Sequence, residues 1–149
     1  MKLIWMSDLH FEAEGLVLGH NPRLRLQAAV DFIAEHHSDA AGCLITGDLV
    51  ETGSVQNYQA LKGFLDGLPM PVLPMTGNHD DRAVLRAVLP LPGTAMPDFI
   101  QYRTDFGDLS IMCLDTLNPG AAASALCAER MGWLKAELGA LNGRPAIVA

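Results

Sequence analysis

Three short stretches concentrate the side chains able to bind a metal ion: Ser7-Asp8-Leu9-His10, Thr46-Gly47-Asp48 and Thr76-Gly77-Asn78-His79-Asp80-Asp81. Asp, His and Asn together make a hard-to-borderline oxygen and nitrogen donor set. It suits zinc, manganese, iron or cobalt, and suits a soft metal less well. Asp8 and His10, two residues apart in a turn, are spaced to hold one ion together. Asp48, with two carboxylate oxygens, is the natural bridge to a second. Singly, each stretch is weak: a lone histidine is more often a structural hydrogen-bonding group, and Asp48 or Asn78 alone reads as turn chemistry. Three of them, each at the end of an apolar run, read as one site.

The apolar runs say how such a site would be assembled. Residues 2–6, Gly42–Thr46 and Val72–Met75 are strand-like, and the middle run is continuous enough for burial on both faces. Between the first two, Asn21-Pro22 opens a helix with a cap residue followed by proline. Its apolar positions Leu26, Val30 and Ile33 recur at helical spacing. Ser54 caps a second helix, whose face is Tyr58, Leu61, Leu65 and Leu68 and which Pro69 and Pro71 close. Residues 82–89 form a third. Strand alternating with helix predicts crossover units and a parallel sheet, and ligands of such sheets bind at the carboxyl ends of the strands. All three polar stretches sit at such ends.

Downstream, Pro90-Leu91-Pro92-Gly93 is turn chemistry. Residues 99–104 and 109–114 read as strands joined in a hairpin through Phe106-Gly107-Asp108. Residues 115–127 are a loop, and Asp115 at its start is either a turn residue or an approach to the site. The last helix presents Met131, Leu134, Leu138 and Leu141 on one face, and residues 146–149 read as the start of a buried strand.

With 149 residues the chain suits one domain with a real core. Seventeen acids against ten bases give a net charge of −7 with no basic run, which disfavours extended nucleic acid as a partner. No apolar run reaches membrane-spanning length, so no membrane partner is expected. Cys43 and Cys113 fall in strand-like runs as buried thiols, no CxxC pair is present, and a reducing cytoplasm is the expected location. Two metals roughly 3.5–4 Å apart can generate a hydroxide and neutralise a phosphoryl oxygen together. The sequence offers neither a Gly-x-Ser-x-Gly nucleophile nor a Walker loop as an alternative.

Asp8-Leu9-His10, Gly47-Asp48 and Gly77-Asn78-His79-Asp80, in this order and spacing, resemble the D-x-H, G-D and G-N-H-D blocks of the calcineurin-like metallophosphoesterases. The nearest resemblance is to the bacterial class III cyclic nucleotide phosphodiesterases and glycerophosphodiesterases. It implies an α/β fold, a β-sandwich flanked by helices, of which this chain is the N-terminal part. It also implies two divalent transition-metal ions (Fe, Mn, Zn or Co) and hydrolysis of a small phosphodiester by a hydroxide bridging them. Asp8 and His10 are then ligands of the first metal, Asp48 the bridge and Asn78 a ligand of the second. His79 stabilises or protonates the leaving oxygen, and Asp80 supports the loop. Glu51 stands where protein phosphatases carry an Asp that orients the loop histidine, so it is expected to orient His79. His20, in the loop before the first helix, is a candidate substrate contact at the cleft mouth.

The family supplies three further histidines downstream, one after a strand like residues 146–149 and two in a G-H-x-H block. The expectation is therefore a single domain truncated at its C-terminal end, with weak or no turnover of its own, the remaining ligands coming from downstream sequence or another chain. The competing functions are a phosphomonoesterase of the same fold and a non-catalytic protein-binding scaffold. The sequence also admits a homo-oligomer.

Overall fold

The computed structural model describes residues 1–92 and 94–149. Gly93, the last residue of the expected turn, lies outside the described residues, as do the side chains of Thr94 and Ala95. The elements run β1 (Leu3–Met6), α1 (Pro22–His36), β2 (Gly42–Thr46), α2 (Val55–Leu65), β3 (Val72–Met75), α3 (Arg82–Val88), β4 (Thr94–Ala95), β5 (Tyr102–Phe106), β6 (Leu109–Cys113), α4 (Ala128–Ala140) and β7 (Ala146–Val148).

The helix starts follow from their caps. Asn21 accepts from the backbone N–H groups of Arg23 and Leu24 ahead of Pro22, Ser54 accepts from that of Asn57, and Asp81 from that of Val84. Because the crossovers are helical, β1, β2 and β3 pair in parallel in that order, with Ile4 opposite Cys43 and Cys43 opposite Val72. The second sheet runs β4-β5-β6-β7. Its β5–β6 hairpin turns on Gly107-Asp108, with Gly107 at φ 60°, and β7 joins β6 in parallel after α4.

The sheets form two layers around one apolar core. Leu26, Val30 and Ile33 of α1 and Tyr58, Leu61 and Leu65 of α2 enter it beside Ile45 and Leu73 of the first sheet and Ile111 and Cys113 of the second. Burying each such side chain contributes roughly 1.5–3 kcal/mol. The Tyr102 hydroxyl donates to the Pro74 carbonyl at 2.9 Å and ties the layers together. Burial pushes the Cys43 and Cys113 thiols up to about 12, so both stay protonated.

Several boundaries differ from the sequence reading. The α2 helix ends at Leu65; Leu68 is buried in the following turn, donating from its backbone to the Leu65 carbonyl. The strand expected at 99–104 begins at Tyr102, because the Ile100 N–H donates to the Asp115 carboxylate rather than to a ladder. The short strand β4 was not expected. The α4 face is only partly covered: Met131 and Leu138 are exposed, and Arg130 is the residue buried. The last strand also differs, since Ile147 and Val148 of β7 are exposed rather than buried. Among the described residues both β1 and β7 have a single neighbour, and Trp5 of β1 is 74% exposed. Among the described residues no helix is long and apolar enough to cross a membrane.

Candidate metal centre

Beyond their strands, the chains leaving β1 and β2 continue side by side. Asp8 N–H donates to the Gly47 carbonyl at 3.2 Å, His10 N–H to that of Asp48 at 2.9 Å, and Glu51 N–H to that of Phe11 at 3.0 Å. Asp8, His10 and Asp48 take left-handed backbone conformations, with φ of 52°, 41° and 46°. Such conformations cost non-glycine residues free energy and concentrate where side chains must be aimed. The loop leaving β3 meets the one leaving β2 through two glycines. A Cβ on Gly47 (φ 86°) would stand 2.8 Å from the Gly77 nitrogen, and one on Gly77 would collide with the backbone nitrogen and Oδ1 of Asp48. Only glycine allows this approach.

The approach brings together one donor atom each from His10, Asp48 and His79, all within 4.8 Å of one another. Asp48 divides its oxygens: Oδ1 accepts from the His79 N–H at 3.0 Å, and Oδ2 lies 3.8 Å from His10 Nε2. The His10 and His79 rings meet edge to face, centroids 4.7 Å apart.

Glu51 holds both histidines by different groups. Its carboxylate lies 2.8 Å from His10 Nδ1, and since a carboxylate only accepts, Nδ1 carries the proton, so in the neutral ring the lone pair is on Nε2. Its backbone carbonyl lies 2.9 Å from His79 Nδ1, whereas its carboxylate is 3.8 Å from that ring. Glu51 thus contacts both rings: its side chain lies closer to His10, while its carbonyl makes the short contact to His79. The Glu51 carbonyl lifts the His79 pKa above the usual imidazole value; partial burial opposes the lift, and the charges of Asp48, Glu51 and Asp80 add to it.

Asp80 is buried beneath the loop. It accepts from the N–H groups of Gly77 at 2.8 Å and Leu49 at 3.2 Å and from the Tyr58 hydroxyl at 2.7 Å, and that hydroxyl accepts from the Asp81 N–H at 3.0 Å. Burial raises the Asp80 pKa against the pull of these donors.

Asp8 and Asn78 are placed differently. Both are exposed, and the Asp8 carboxylate is bonded to the Ser7 hydroxyl, outside the three-atom cluster. A cleft of about 460 Å³ opens from Asp8, His10, Glu51 and His79 towards His20 and Arg25. A smaller polar cavity of about 200 Å³ lies where Asp48 and Asn78 face Thr116 and Asn118. Thr76 borders it, and among the described residues the buried Thr76 hydroxyl has no partner. Asp115 does not reach the site: its fully buried carboxylate pairs with Arg82. Sequence reasoning missed Arg25, Thr116 and Asn118. The polar Thr116 and Asn118 directly after a strand were a usable signal; Arg25 reads as an ordinary helix-surface residue.

The model of calcineurin-like phosphoesterases matches residues 1–130. A probable cyclic nucleotide phosphodiesterase of Rhodopseudomonas palustris is 36% identical over 91% of this chain and 50% of its own length. The glycerophosphodiester phosphodiesterase GpdQ of Enterobacter lignolyticus is 30% identical over 99% of this chain and 55% of its own. The 3',5'-cyclic adenosine monophosphate phosphodiesterase CpdA of Pseudomonas aeruginosa is 26% identical over 99% and 53%. The chain thus spans about half the length of the curated relatives it matches. Among solved structures, a dimetal phosphatase from Danio rerio shares the fold over 98% of this chain and 67% of that one, with a TM-score of 0.67 at 14% identity.

Proposed function

The chain belongs to the calcineurin-like phosphoesterase family, and on that premise we propose that its site hydrolyses small phosphodiesters, cyclic nucleotides or glycerophosphodiesters. The observation that carries the reading is the convergence, on loops from three neighbouring parallel strands, of the proposed ligands His10 and Asp48 with His79, one side-chain nitrogen or oxygen of each lying within 4.8 Å of the others. The donor set fits divalent transition metals: His10 Nε2 is freed by the Glu51 contact, and Asp48 presents Oδ2 while Oδ1 is anchored. Asp8, His10 and Asp48 would hold one ion and Asp48 with Asn78 a second, with Fe, Mn, Zn or Co as candidates. When bound, the ions supply Lewis-acid stabilisation of the phosphoryl oxygens and an acidified water.

The chain's own residues do the rest. Asp80, with Tyr58, fixes the loop that carries Asn78 and His79. His79, its Nδ1 engaged by the Glu51 carbonyl, has Nε2 left to carry a proton to the leaving oxygen. The net charge of −7, with no basic run, keeps extended nucleic acid a poor partner.

Titration of the chain with Mn²⁺, followed by electron paramagnetic resonance, tests the metal centre directly. Binding that weakens in Asp48→Asn and in His10→Ala is expected. Wild-type chain that binds no divalent transition metal would remove the proposal. The diester step is read separately, with bis(4-nitrophenyl) phosphate.

A further inference from the structure

We infer that Arg25 sets substrate preference in the larger cleft, its guanidinium receiving an anionic group, a carboxylate or second phosphoryl, on an arm of the substrate away from the scissile ester. The inference rests on the diester-hydrolysis reading above and deepens it.

Arg25 is the one Lys or Arg among the described residues that line the 460 Å³ cleft shared with His10 and His79. Its neighbour Arg23 is committed to the fold, donating to the carbonyls of Glu12 at 3.0 Å and Gly15 at 3.2 Å. Three acids of the segments flanking it in sequence each accept from a side chain other than Arg25. Asp31 accepts from Gln27 at 2.8 Å, Glu12 from Asn57 at 2.9 Å and Glu14 from Gln56 at 3.3 Å. Among the described residues the Arg25 side chain has no hydrogen-bonded or ion-paired partner, although the protein carries seventeen acids.

The setting explains why an anion is the fitting ligand. The cleft's two carboxylates, Asp8 and Glu51, stand beside His10 at the end where the scissile phosphoryl group would sit. Val17, Leu26 and Ala29 line the same cleft and give it an apolar wall. In a protein of net charge −7, long-range potential does not attract an anion, so a second negative charge needs a local cation. A guanidinium is a planar fork matched to carboxylate or phosphoryl oxygens, and its charge is present at any working pH. His20 flanks the same wall as a second hydrogen-bonding group.

The test measures binding of two probes that differ by one charge, phenyl phosphate and 4-carboxyphenyl phosphate, to the Mn²⁺-loaded chain by isothermal titration calorimetry. Wild type is expected to prefer the carboxylated probe by about three- to five-fold at low salt, and the preference should narrow as salt is added. Arg25→Ala should equalise the probes by weakening only the carboxylated one, and Arg25→Lys should restore part of the difference. No preference in wild type, or a preference that survives in Arg25→Ala, overturns the assignment while phenyl phosphate still binds. Failure of both probes to bind would overturn this inference, while the diester reading is decided separately by cleavage of bis(4-nitrophenyl) phosphate.

Discussion

Replacing Arg82 by Met should cost the fold about 3 kcal/mol, and the geometry says why. Arg82 is the first residue of α3, directly after the loop that carries Asn78 and His79, and Asp115 leaves β6 in the other layer. The guanidinium meets the carboxylate twice, Nε to Oδ2 at 2.6 Å and Nη2 to Oδ1 at 2.8 Å, and Asp115 has no exposed side-chain surface. Removing one partner of a buried pair costs about 3–5 kcal/mol, because the other charge is left without compensation. The lower end applies here. Arg130 remains 3.6 Å from Oδ1, and the N–H groups of Ile100 and Leu117 still donate to the carboxylate. For a chain of this length that corresponds to a fall of roughly 6–12 °C in Tm.

The pH dependence carries a distinctive sign. In the wild type, burial pushes the Asp115 pKa up, but Arg82 and the backbone donors outweigh it and hold the group below the usual 3.8. The stability it contributes is therefore complete above pH 3.8 and is lost as pH falls through the lower folded value. Without Arg82, burial dominates and the pKa moves up, so the variant gains stability on acidification and the gap to wild type narrows from neutral pH towards pH 4. Urea denaturation across that range reads both effects. Combining Arg82→Met with Asp115→Asn, which removes the stranded charge, should recover most of the loss. A single-variant cost under about 1 kcal/mol, or a double variant no better than the single, would refute the argument.

Three further substitutions probe the site itself. Gly77→Ala drives a methyl into Asp48 and should cost about 1–3 kcal/mol while weakening Mn²⁺ binding; a variant with wild-type affinity would contradict the close approach. Tyr58→Phe removes the donor to Asp80 and the acceptor for the Asp81 N–H, a loss of roughly 1.5–3 kcal/mol that urea denaturation will read, and unaltered stability would show the network to be idle. Glu51→Ala deletes the contact to His10 but leaves the carbonyl that holds His79, so Mn²⁺ affinity should fall about 10–100-fold; no change in titration would dismiss Glu51 as a positioning residue for His10.

The parallel sheet and its site loops were legible because local rules and global fold agree there. Asn21-Pro22, Ser54 and the continuous run Gly42–Thr46 each point to one conformation, and each adopts it. The second half of the chain was less legible, because its elements depend on partners distant in sequence. Ile100 leaves the strand pattern for a carboxylate 15 residues away, and Arg130 is buried because it donates to the Asp115 carbonyl at 2.5 Å and stacks on the Phe99 ring, its guanidinium carbon 4.7 Å from the centroid. Apolar periodicity placed Met131 and Leu138 on one face of α4, yet it records what can be buried, and these two are exposed. The division of labour within Glu51 was likewise out of reach, since a backbone carbonyl has no signature in sequence.

That division changes what the loop after β2 does. Asp48 and Glu51, three residues apart, contact both histidines: Asp48 through a carboxylate oxygen to the His79 backbone and the other towards His10, Glu51 through its carboxylate to His10 and its carbonyl to His79. The loops bearing His10 and His79 leave different strands, β1 and β3, which do not pair with each other; β2 lies between them. The central strand's loop is therefore the common reference for both imidazoles, and the left-handed turn at Gly47-Asp48 is what turns it towards both neighbours. A displacement of that turn moves both histidines at once, whereas a change in either outer loop moves one. This is the physical reason to expect the backbone at Gly47 and Gly77, rather than any single ligand, to be the least substitutable part of the centre.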